Sequence, residues 1–254
     1  MSSRNAALDS TASPNSVAAD GSSMATRFDA VLFDAGGVLV LPDPTVLAPL
    51  LAFYGGEITI DAHRRAHYAG MAAKSRAGSS EGEWLIYDEA YVAAVGVRDG
   101  DMGEAADVLN RTRTPDLWRW PIPETVAALG RLAAAGIPMG VVSNASGQVE
   151  GSLNRSVCQV GRGAFIPMRC IVDSQVVGVE KPDPRIFDFA LPYFAEFDPK
   201  RIAYVGDSVA MDIVSSRAAG LHSILIDPYA DHDGADFERI SSVQVLADEL
   251  VRTV

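Results

Sequence analysis

The sequence predicts a doubly wound α/β fold, in which a Rossmann-like parallel sheet carries a small helical domain inserted after its first strand. Three observations support this fold class. From residue 28 onward, short apolar runs alternate with amphipathic segments. Most of the runs are continuous rather than alternating in polarity, as strands buried on both faces of a parallel sheet require. Roughly a hundred residues separate the first run from the second, which is too long for a simple crossover connection.

The segment before the first strand has a different composition. Residues 1–26 are rich in Ser, Ala and Asn and lack the continuous apolar stretch of a secretory signal. We therefore predict a disordered tail over these residues. A Ser-rich transit peptide is the alternative, although Asp9, Asp20 and the single Arg argue against it. Translation from Met24 is equally compatible with the sequence.

The predicted core covers residues 27–42 and 119–254. Its strands are expected at Phe28–Phe33, Ile137–Val142, Met168–Val172, Ile202–Val205 and His222–Ile226. Its helices are expected at Glu124–Ala135, Gly147–Val157, from Pro184 toward Ala195, and at Asp212–Ala219. Gly136 and Gly220 follow two of these helices, at the position where glycine commonly ends a helix.

The predicted insertion covers residues 43–118. Three of its segments have apolar residues at helical spacing, namely Ile60–Arg76, Trp84–Val95 and Met102–Arg111. Pro115, Pro121 and Pro123 mark the return of the chain to the core. These features predict a small helical domain at the ligand-binding edge of the sheet.

The composition excludes several classes of protein. The 21 Lys and Arg residues against 33 Asp and Glu give a net charge of −12, which disfavours nucleic-acid binding because that needs a basic surface. The longest apolar stretches, Val38–Leu41 and Thr45–Tyr54, are too short to span a membrane. Two cysteines, Cys158 and Cys170, are expected as reduced thiols, and a single disulfide is the less favoured alternative. We expect a soluble cytoplasmic protein whose partner is a small molecule.

Polar side chains follow the apolar runs at the positions where the predicted strands end. Asp34 comes after the first run, Ser143 and Asn144 after the second, and Asp207 after another. Ligands of open α/β sheets bind beyond the carboxyl ends of the strands. Each Asp by itself is as well explained by a turn or a helix cap. Together with Asp212, however, these carboxylates would repel one another unless a cation such as Mg²⁺ were bound between them.

Four segments in chain order carry a resemblance to a known family. They are FDAGGVL at 33–39, VVSNAS at 141–146, EKPDPRIF at 180–187 and VGDSVAMDI at 205–213. In this order they resemble the motifs of the haloacid dehalogenase superfamily, most of whose members are Mg²⁺-dependent phosphatases. The resemblance covers nearly the whole chain after the tail. It implies that the insertion corresponds to the family's cap, which closes over the site and selects the substrate.

The resemblance also implies roles for individual residues. Asp34 would be the nucleophile that forms an aspartyl-phosphate. Ser143 and Asn144 would hold the phosphoryl oxygens, and Lys181 would neutralise them and orient Asp34. Asp34, the Gly36 carbonyl, Asp207 and Asp212 would form the metal site, with Asp212 either a ligand through water or a partner of Lys181.

One position departs from the family pattern. The first motif usually reads Asp-x-Asp, whereas this chain has Asp34-Ala35-Gly36. The second Asp protonates the leaving group and then activates water, so we expect this general acid–base catalysis to be lost or supplied from the cap. His63, His67 and Asp88 are the candidates for that replacement. A weak general acid would favour esters with good leaving groups, such as anomeric sugar phosphates, acyl phosphates or aryl phosphates.

Three functions stay open at this stage. The first is a Mg²⁺-dependent phosphatase acting on a small phosphate monoester, with sugar phosphates among the candidates. The second is a 2-haloacid dehalogenase, which needs no cation and so leaves Asp207 and Asp212 without a purpose. The third is a non-catalytic binding protein in which Gly36 marks decayed catalysis.

Several other features of the insertion have ordinary explanations. His63 and His67 lie four residues apart and could share a metal, but a solvated or substrate-facing pair is the preferred interpretation. Trp118 and Trp120 are expected to serve packing. The basic residues Arg64, Arg65, Lys74 and Arg76 are expected to form a solvated helix face, with attraction of an anionic substrate as the alternative.

Overall fold

The computed structural model describes residues 27–79 and 82–251. The predicted disordered tail lies outside these residues. In chain order the strands are β1 (Ala30–Phe33), β2 (Val40–Pro42), β3 (Trp118–Pro121), β4 (Met139–Ser143), β5 (Cys158–Val160), β6 (Ile166–Met168), β7 (Ile171–Asp173), β8 (Ile202–Gly206), β9 (His222–Ile226) and β10 (Glu238–Ile240). The α-helices are α1 (Pro44–Ala52), α2 (Ile60–Ala77), α3 (Leu85–Ala94), α4 (Met102–Thr112), α5 (Pro123–Ala134), α6 (Val149–Leu153), α7 (Ser174–Val177), α8 (Val214–Ala218) and α9 (Val243–Val251).

Within the described residues, the main sheet has six strands in the order β10-β9-β8-β1-β4-β7. All of its pairings are parallel, and β1 lies between β8 and β4. Alternate residues of β1 face opposite sides of the sheet, as the strand period of two requires. Val31 and Phe33 join one apolar cluster, whereas Ala30 and Leu32 join the other. The predicted doubly wound α/β class is confirmed.

The main sheet includes β10, which the sequence did not predict, and it differs from the prediction in a second place. The predicted strand Met168–Val172 is wrong as a single strand, because the chain divides at Arg169 and Cys170. β6 pairs with β5 in a small separate sheet, whereas β7 pairs with β4 in the main one. The backbone N–H of Arg169 donates a 2.7 Å hydrogen bond to the carbonyl of Met139, which anchors the bend between the two sheets.

Three predicted helices differ in extent from the structure. The segment Gly147–Val157 is helical only in α6, because Gly147 has φ of 90° and its N–H donates to the carboxylate of Asp173 in a turn that precedes the helix. The segment after Pro184 forms two 3₁₀ stretches, Pro184–Phe189 and Leu191–Phe194. Pro192 has no N–H to donate, so a continuous α-helix would lose a hydrogen bond there. The predicted helix at Asp212–Ala219 begins earlier, as a π-helical turn over Val209–Ile213 that leads into α8.

Between β2 and β3, the described residues 43–79 and 82–117 contain α1 to α4, which form the helical insertion. These helices bury their own apolar cluster, which includes Leu47, Tyr87, Tyr91 and Leu109. β2 and β3 pair antiparallel, with Val40 opposite Pro121, so the chain leaves and re-enters the core at one place. Among the described residues, no helix combines the length and the hydropathy that a membrane crossing requires.

Candidate active site

The candidate site lies at the carboxyl ends of three adjacent strands. Asp34 directly follows β1, Ser143 ends β4 and Asp207 directly follows β8. Phe33, at the end of β1, is in register with Val141 of β4 and Val205 of β8, so the polar residues that follow these strands lie at one edge. The parallel sheet therefore brings together residues that are more than 100 positions apart in the chain.

Lys181 is the central cation of this edge. Its Nζ lies 3.0 Å from Asp34 Oδ1 and donates a 2.6 Å hydrogen bond to Asp212 Oδ1. It also donates to the hydroxyl of Tyr204 at 2.9 Å. Because Lys181 is only 2% exposed, its charge acts with little screening by water. Burial lowers the pKa of Lys181, but the carboxylates of Asp212 and Asp34 outweigh it and raise that pKa above its ordinary value, so the side chain stays an ammonium.

Asn144 holds the backbone of Lys181 in place. The Lys181 N–H donates to Asn144 Oδ1 at 2.8 Å, and Asn144 Nδ2 donates to the Lys181 carbonyl at 3.0 Å. This two-point contact joins the loop that carries the lysine to the end of β4. Asn144 thus positions Lys181 through its side chain, a role that the sequence did not predict.

Asp212 anchors the loop that follows β8. Its Oδ2 accepts hydrogen bonds from the N–H groups of Asp207 at 3.1 Å and Ser208 at 2.9 Å. Its Oδ1 accepts from Lys181 and, at 3.0 Å, from the Tyr204 hydroxyl. Of the two roles considered for Asp212, the geometry therefore places it as the partner of Lys181. Gly206 makes room for this arrangement, since a Cβ there would lie 2.2 Å from Asp212 Cγ.

Carboxylate groups outnumber ammonium groups at this edge of the sheet. Asp34, Asp207 and Asp212 each have a carboxylate oxygen within 4.8 Å of the others, and all three are buried. Burial raises the pKa of Asp34 to about 7; Lys181 opposes this effect, and Asp212 and Asp207 add to it. Asp34 Oδ1 lies at ion-pair distance from Lys181 but has no well-aligned hydrogen bond among the described residues. Hard carboxylate oxygens with surplus negative charge are the donors that Mg²⁺ prefers, so these residues fit that ion.

Two adjacent glycines lie between Asp34 and β2. Gly37 has φ of 68°, and a Cβ there would lie 1.8 Å from Asp207 Oδ2, so only glycine fits against this carboxylate. At Gly36 a Cβ would meet the ring of Trp118 at 3.3 Å. The indole of Trp118 thus lies where the family's second Asp would project. Trp118 serves packing, as expected, and also lines the cavity described next.

A cavity of about 110 Å³ lies between the strand ends and the insertion. The core wall of the cavity is formed by residues that the sequence analysis singled out, namely Asp34, Gly36, Asn144, Lys181, Asp207 and Asp212. Ser143 is buried at the end of β4 and is not part of the wall. Residues that the sequence did not assign to the site also line it, namely Met71, Trp84, Gln148, Ser208 and Met211.

The basic cluster of the insertion separates into different environments. Lys74 is buried and lines the cavity, with its Nζ 3.9 Å from the centre of the Trp84 ring. Arg64 forms an ion pair with Glu124, and Arg65 forms one with Asp231 at 2.7 Å. Arg76 is exposed. Of the four basic residues, Lys74 alone lies in the cavity wall, and no local sequence signal distinguishes it from the other three.

The three candidates for a replacement acid also separate. His63 contacts the Tyr91 hydroxyl at 2.8 Å and the Glu57 carbonyl at 3.0 Å, entirely within the insertion. Asp88 forms an ion pair with Arg113. His67 Nε2 lies 3.0 Å from Asp207 Oδ2, so His67 reaches the strand-end carboxylates. Because the two histidines bond to different partners, the geometry does not support a metal shared between them.

Comparison with known proteins places this geometry in a family context. A model of haloacid dehalogenase-like hydrolases matches residues 28–220. The cattle haloacid dehalogenase-like hydrolase domain-containing protein 3 is 31% identical over 145 residues, which cover 56% of this chain and 55% of that protein. The phosphoserine phosphatase of Thermus thermophilus is 30% identical over 110 residues, covering 43% of this chain and 42% of that protein. The chain therefore matches about half the length of these relatives.

Solved structures share the fold at low sequence identity. A phosphatase from Thermococcus onnurineus superposes with a TM-score of 0.52 at 20% identity, covering 87% of this chain and 96% of that one. A 2-haloacid dehalogenase from Pseudomonas syringae superposes with a TM-score of 0.51 at 19% identity, covering 89% and 100%. Phosphatases and 2-haloacid dehalogenases thus both have this fold, so the fold alone does not show which of the two reactions a protein catalyses. The family match spans most of the described chain, and we conclude that the protein is a haloacid dehalogenase-like hydrolase.

Proposed function

We propose that the protein is a Mg²⁺-dependent phosphatase that hydrolyses a small-molecule phosphate monoester through an aspartyl-phosphate on Asp34. The observation that carries this proposal is the buried cluster of three carboxylates around one ammonium, Lys181. Such a cluster has a net negative charge, which a bound divalent cation would neutralise. The cation and the Lys181 ammonium would then both be available to attract the oxygens of a phosphate ester. A dehalogenase would need Asp34 and its Lys181 partner but no metal ion, so its reaction gives no reason for the additional carboxylates of Asp207 and Asp212.

In the first step, an oxygen of Asp34 attacks phosphorus and the bond from phosphorus to the ester oxygen breaks. Lys181, 3.0 Å from Asp34 Oδ1, favours the ionised form of the nucleophile and would stabilise negative charge on the phosphoryl oxygens. Asn144 positions Lys181 through its two backbone contacts. Asn144, which lines the cavity, is proposed to hold a phosphoryl oxygen through its backbone, whereas Ser143 lies outside the cavity wall and is assigned no contact with the substrate. In the second step, water attacks the phosphorus of the aspartyl-phosphate and the bond from phosphorus to the Asp34 oxygen breaks. The Asp34 carboxylate is restored, and the protons of the water leave with inorganic phosphate.

Asp34, Asp207 and the Gly36 carbonyl would hold Mg²⁺, which when bound supplies further charge neutralisation for the phosphoryl group. Asp212 contributes to the site through a different route. Both of its oxygens accept hydrogen bonds from the protein, and these bonds fix Lys181 and the backbone of Asp207. We therefore assign Asp212 the support of the cation site, or contact with the cation through water.

The leaving group defines the class of substrate. Gly36 has no side chain to protonate the departing oxygen, and the ring of Trp118 lies beside it. We therefore propose that the substrate has a leaving group of low pKa, such as an anomeric sugar, an acyl group or a phenol.

The first test measures phosphate release from a panel of small esters that includes aryl phosphates, hexose 1-phosphates and hexose 6-phosphates. Wild type is compared with Asp34→Asn, each with Mg²⁺ and with a chelator. We expect release to require Mg²⁺, and the nearly isosteric Asn to lower kcat at least about 10³-fold. Chloride release from 2-chloropropionate without metal would instead establish the dehalogenase, and no turnover of either class would favour the non-catalytic binding protein.

The second test measures kcat/KM across a series of esters with leaving groups of increasing pKa. The quantity kcat/KM is needed because hydrolysis of the aspartyl-phosphate is common to all esters and would mask differences in kcat. We expect kcat/KM to fall steeply as the pKa of the leaving group rises. A flat dependence would show that another residue protonates the leaving group.

A further inference from the structure

Two consecutive residues of α2 reach from the insertion into the core. His67 Nε2 lies 3.0 Å from Asp207 Oδ2, and the hydroxyl of Tyr68 donates a 2.6 Å hydrogen bond to the Gly37 carbonyl. Both side chains are buried. Gly37 provides the space for this contact, because a Cβ there would lie 2.8 Å from His67 Nε2 and 1.8 Å from Asp207 Oδ2. The insertion is therefore in direct contact with a carboxylate of the proposed cation site.

The hydrogen bonds determine which ring nitrogen of His67 carries the proton. An ionised Asp207 can only accept, so Nε2 carries the hydrogen and donates it. Nδ1 is then an acceptor, and the Tyr87 hydroxyl lies 3.0 Å from it in position to donate. The result is a directed chain from Tyr87 through His67 to Asp207.

The ring of His67 also has a fixed orientation. The aromatic rings of Tyr68, Tyr87 and Trp118 contact it edge to face, with centroids at 5.1, 5.8 and 5.4 Å. The Tyr87 ring packs directly on Gly70 of α2, where a Cβ would lie 2.4 Å from it. These contacts leave Nε2 little freedom to turn away from Asp207.

We propose that His67 is a positioning residue for the cation site, which holds Asp207 in its ligating orientation through the Nε2–H···Oδ2 hydrogen bond. The inference rests on the proposed function in that Asp207 is taken to bind Mg²⁺. A residue that orients a metal ligand typically contributes about 10- to 100-fold to metal affinity. The helical insertion thereby contributes to Mg²⁺ binding without supplying a ligand.

The chain offers a matched control four residues earlier in α2. His63 is as buried as His67, with exposures of 3% and 1%, and it also contacts a tyrosine hydroxyl, that of Tyr91. Its second contact is the Glu57 carbonyl, within the insertion. Replacing either histidine removes a buried imidazole from the same helix, but only His67 touches Asp207.

The experiment measures Mg²⁺ affinity by calorimetric titration of the metal-free full chain. Wild type is compared with His67→Ala, His67→Gln and His63→Ala, and thermal unfolding in chelator checks that each variant is folded. We expect His67→Ala to raise the Kd for Mg²⁺ by about 10- to 100-fold. His67→Gln should recover much of the affinity, because its amide N–H can donate to Asp207, and His63→Ala should bind within about twofold of wild type.

The proposal is overturned if His67→Ala keeps the wild-type Kd, if His63→Ala weakens binding equally, or if the wild type binds no Mg²⁺. If His67→Ala does not fold, the comparison of Tyr87→Phe with Tyr91→Phe decides instead. Tyr87→Phe removes the hydroxyl that orients His67, so it should weaken Mg²⁺ binding more than Tyr91→Phe does. The titration needs no turnover, so a loss of affinity in His67→Ala without phosphate release from any ester would reject the phosphatase and keep this inference.

Discussion

The two walls of the cavity are built on different principles. The core wall consists of carboxylates and one ammonium at the ends of parallel strands, held by hydrogen bonds that are mostly 3.1 Å or shorter. The insertion wall consists of Met71, Lys74 and Trp84, which pack through apolar and cation–π contacts. The ends of strands in one sheet have fixed relative positions. The helices of the insertion have their own apolar cluster, so their position relative to the sheet is less tightly fixed. We propose from this difference that the chemistry depends on the core wall and that the choice of substrate depends on the insertion wall.

The largest expected effect comes from removing the ammonium of the core wall. Lys181→Met leaves three buried carboxylates within 4.8 Å of one another without their counter-charge. Removing one partner from a buried ion pair typically costs about 3–5 kcal/mol. We expect a loss of this size in the free energy of unfolding, measured by urea denaturation without Mg²⁺, together with loss of phosphate release.

The exposed Lys200 provides the control for this prediction. Lys200→Met removes the same charge from the surface and should change the free energy of unfolding by less than about 0.5 kcal/mol. Equal stability of Lys181→Met and Lys200→Met would mean that the core wall does not depend on the buried charge.

A smaller change is expected where the two walls meet, at Gly36. Gly36→Asp introduces the carboxyl group found at this position in most of the family, and the Trp118 ring must move by a few tenths of an ångström because the Cβ would lie 3.3 Å from it. General acid catalysis is worth about 10²–10⁴-fold. We expect kcat/KM to rise toward this range for alkyl phosphates, which have poor leaving groups, and to change little for aryl phosphates.

Gly36→Ala distinguishes the carboxyl group from the added Cβ. It displaces Trp118 in the same way but supplies no proton, so it should give no gain with alkyl esters. An equal gain from Ala and Asp would indicate that the position of the indole, rather than proton transfer, limits the reaction.

The smallest effect is expected on the insertion wall. Lys74→Met keeps an unbranched side chain over Trp84 but removes the charge that faces the cavity. We expect KM for anionic esters to rise about tenfold, equivalent to 1.4 kcal/mol of binding, while kcat stays nearly unchanged. Steady-state kinetics of this variant beside Arg76→Met, an exposed control on the same helix, test the division of roles. A fall in kcat as large as that in kcat/KM would assign Lys74 to the chemistry instead.

The sequence predicted the core wall better than the insertion wall. Asp34, Asn144 and Asp207 could be located because an apolar run followed by a polar residue is a local signal. The strand boundaries at Met168–Val172 were wrong because the bend at Arg169 depends on which strand pairs with each half. Pairing is a property of distant segments, which a local apolar pattern does not contain.

The insertion wall shows the same limit more strongly. Helical periodicity predicted α2, but it could not show that Lys74 lines the cavity while Arg64 and Arg65 pair with distant carboxylates. Helical periodicity also could not distinguish His63 from His67 as candidates for a replacement acid, although of these two only His67 contacts Asp207. Which α2 side chains contact the core depends on the rotation of the helix about its axis and on its position against the sheet.

By itself, the sequence determined the α/β fold class, the presence of a helical segment between two strands, and the carboxylates that end up at the strand edge. These follow from hydrophobic periodicity and from the regular geometry of parallel sheets, which act over short stretches of chain. Only the tertiary structure decided that Trp118 lies beside Gly36, that Asp212 pairs with Lys181, and that His67 contacts Asp207. The physical reason is that each of these contacts joins segments whose relative position is set by the packing of whole elements, and not by any residue's near neighbours.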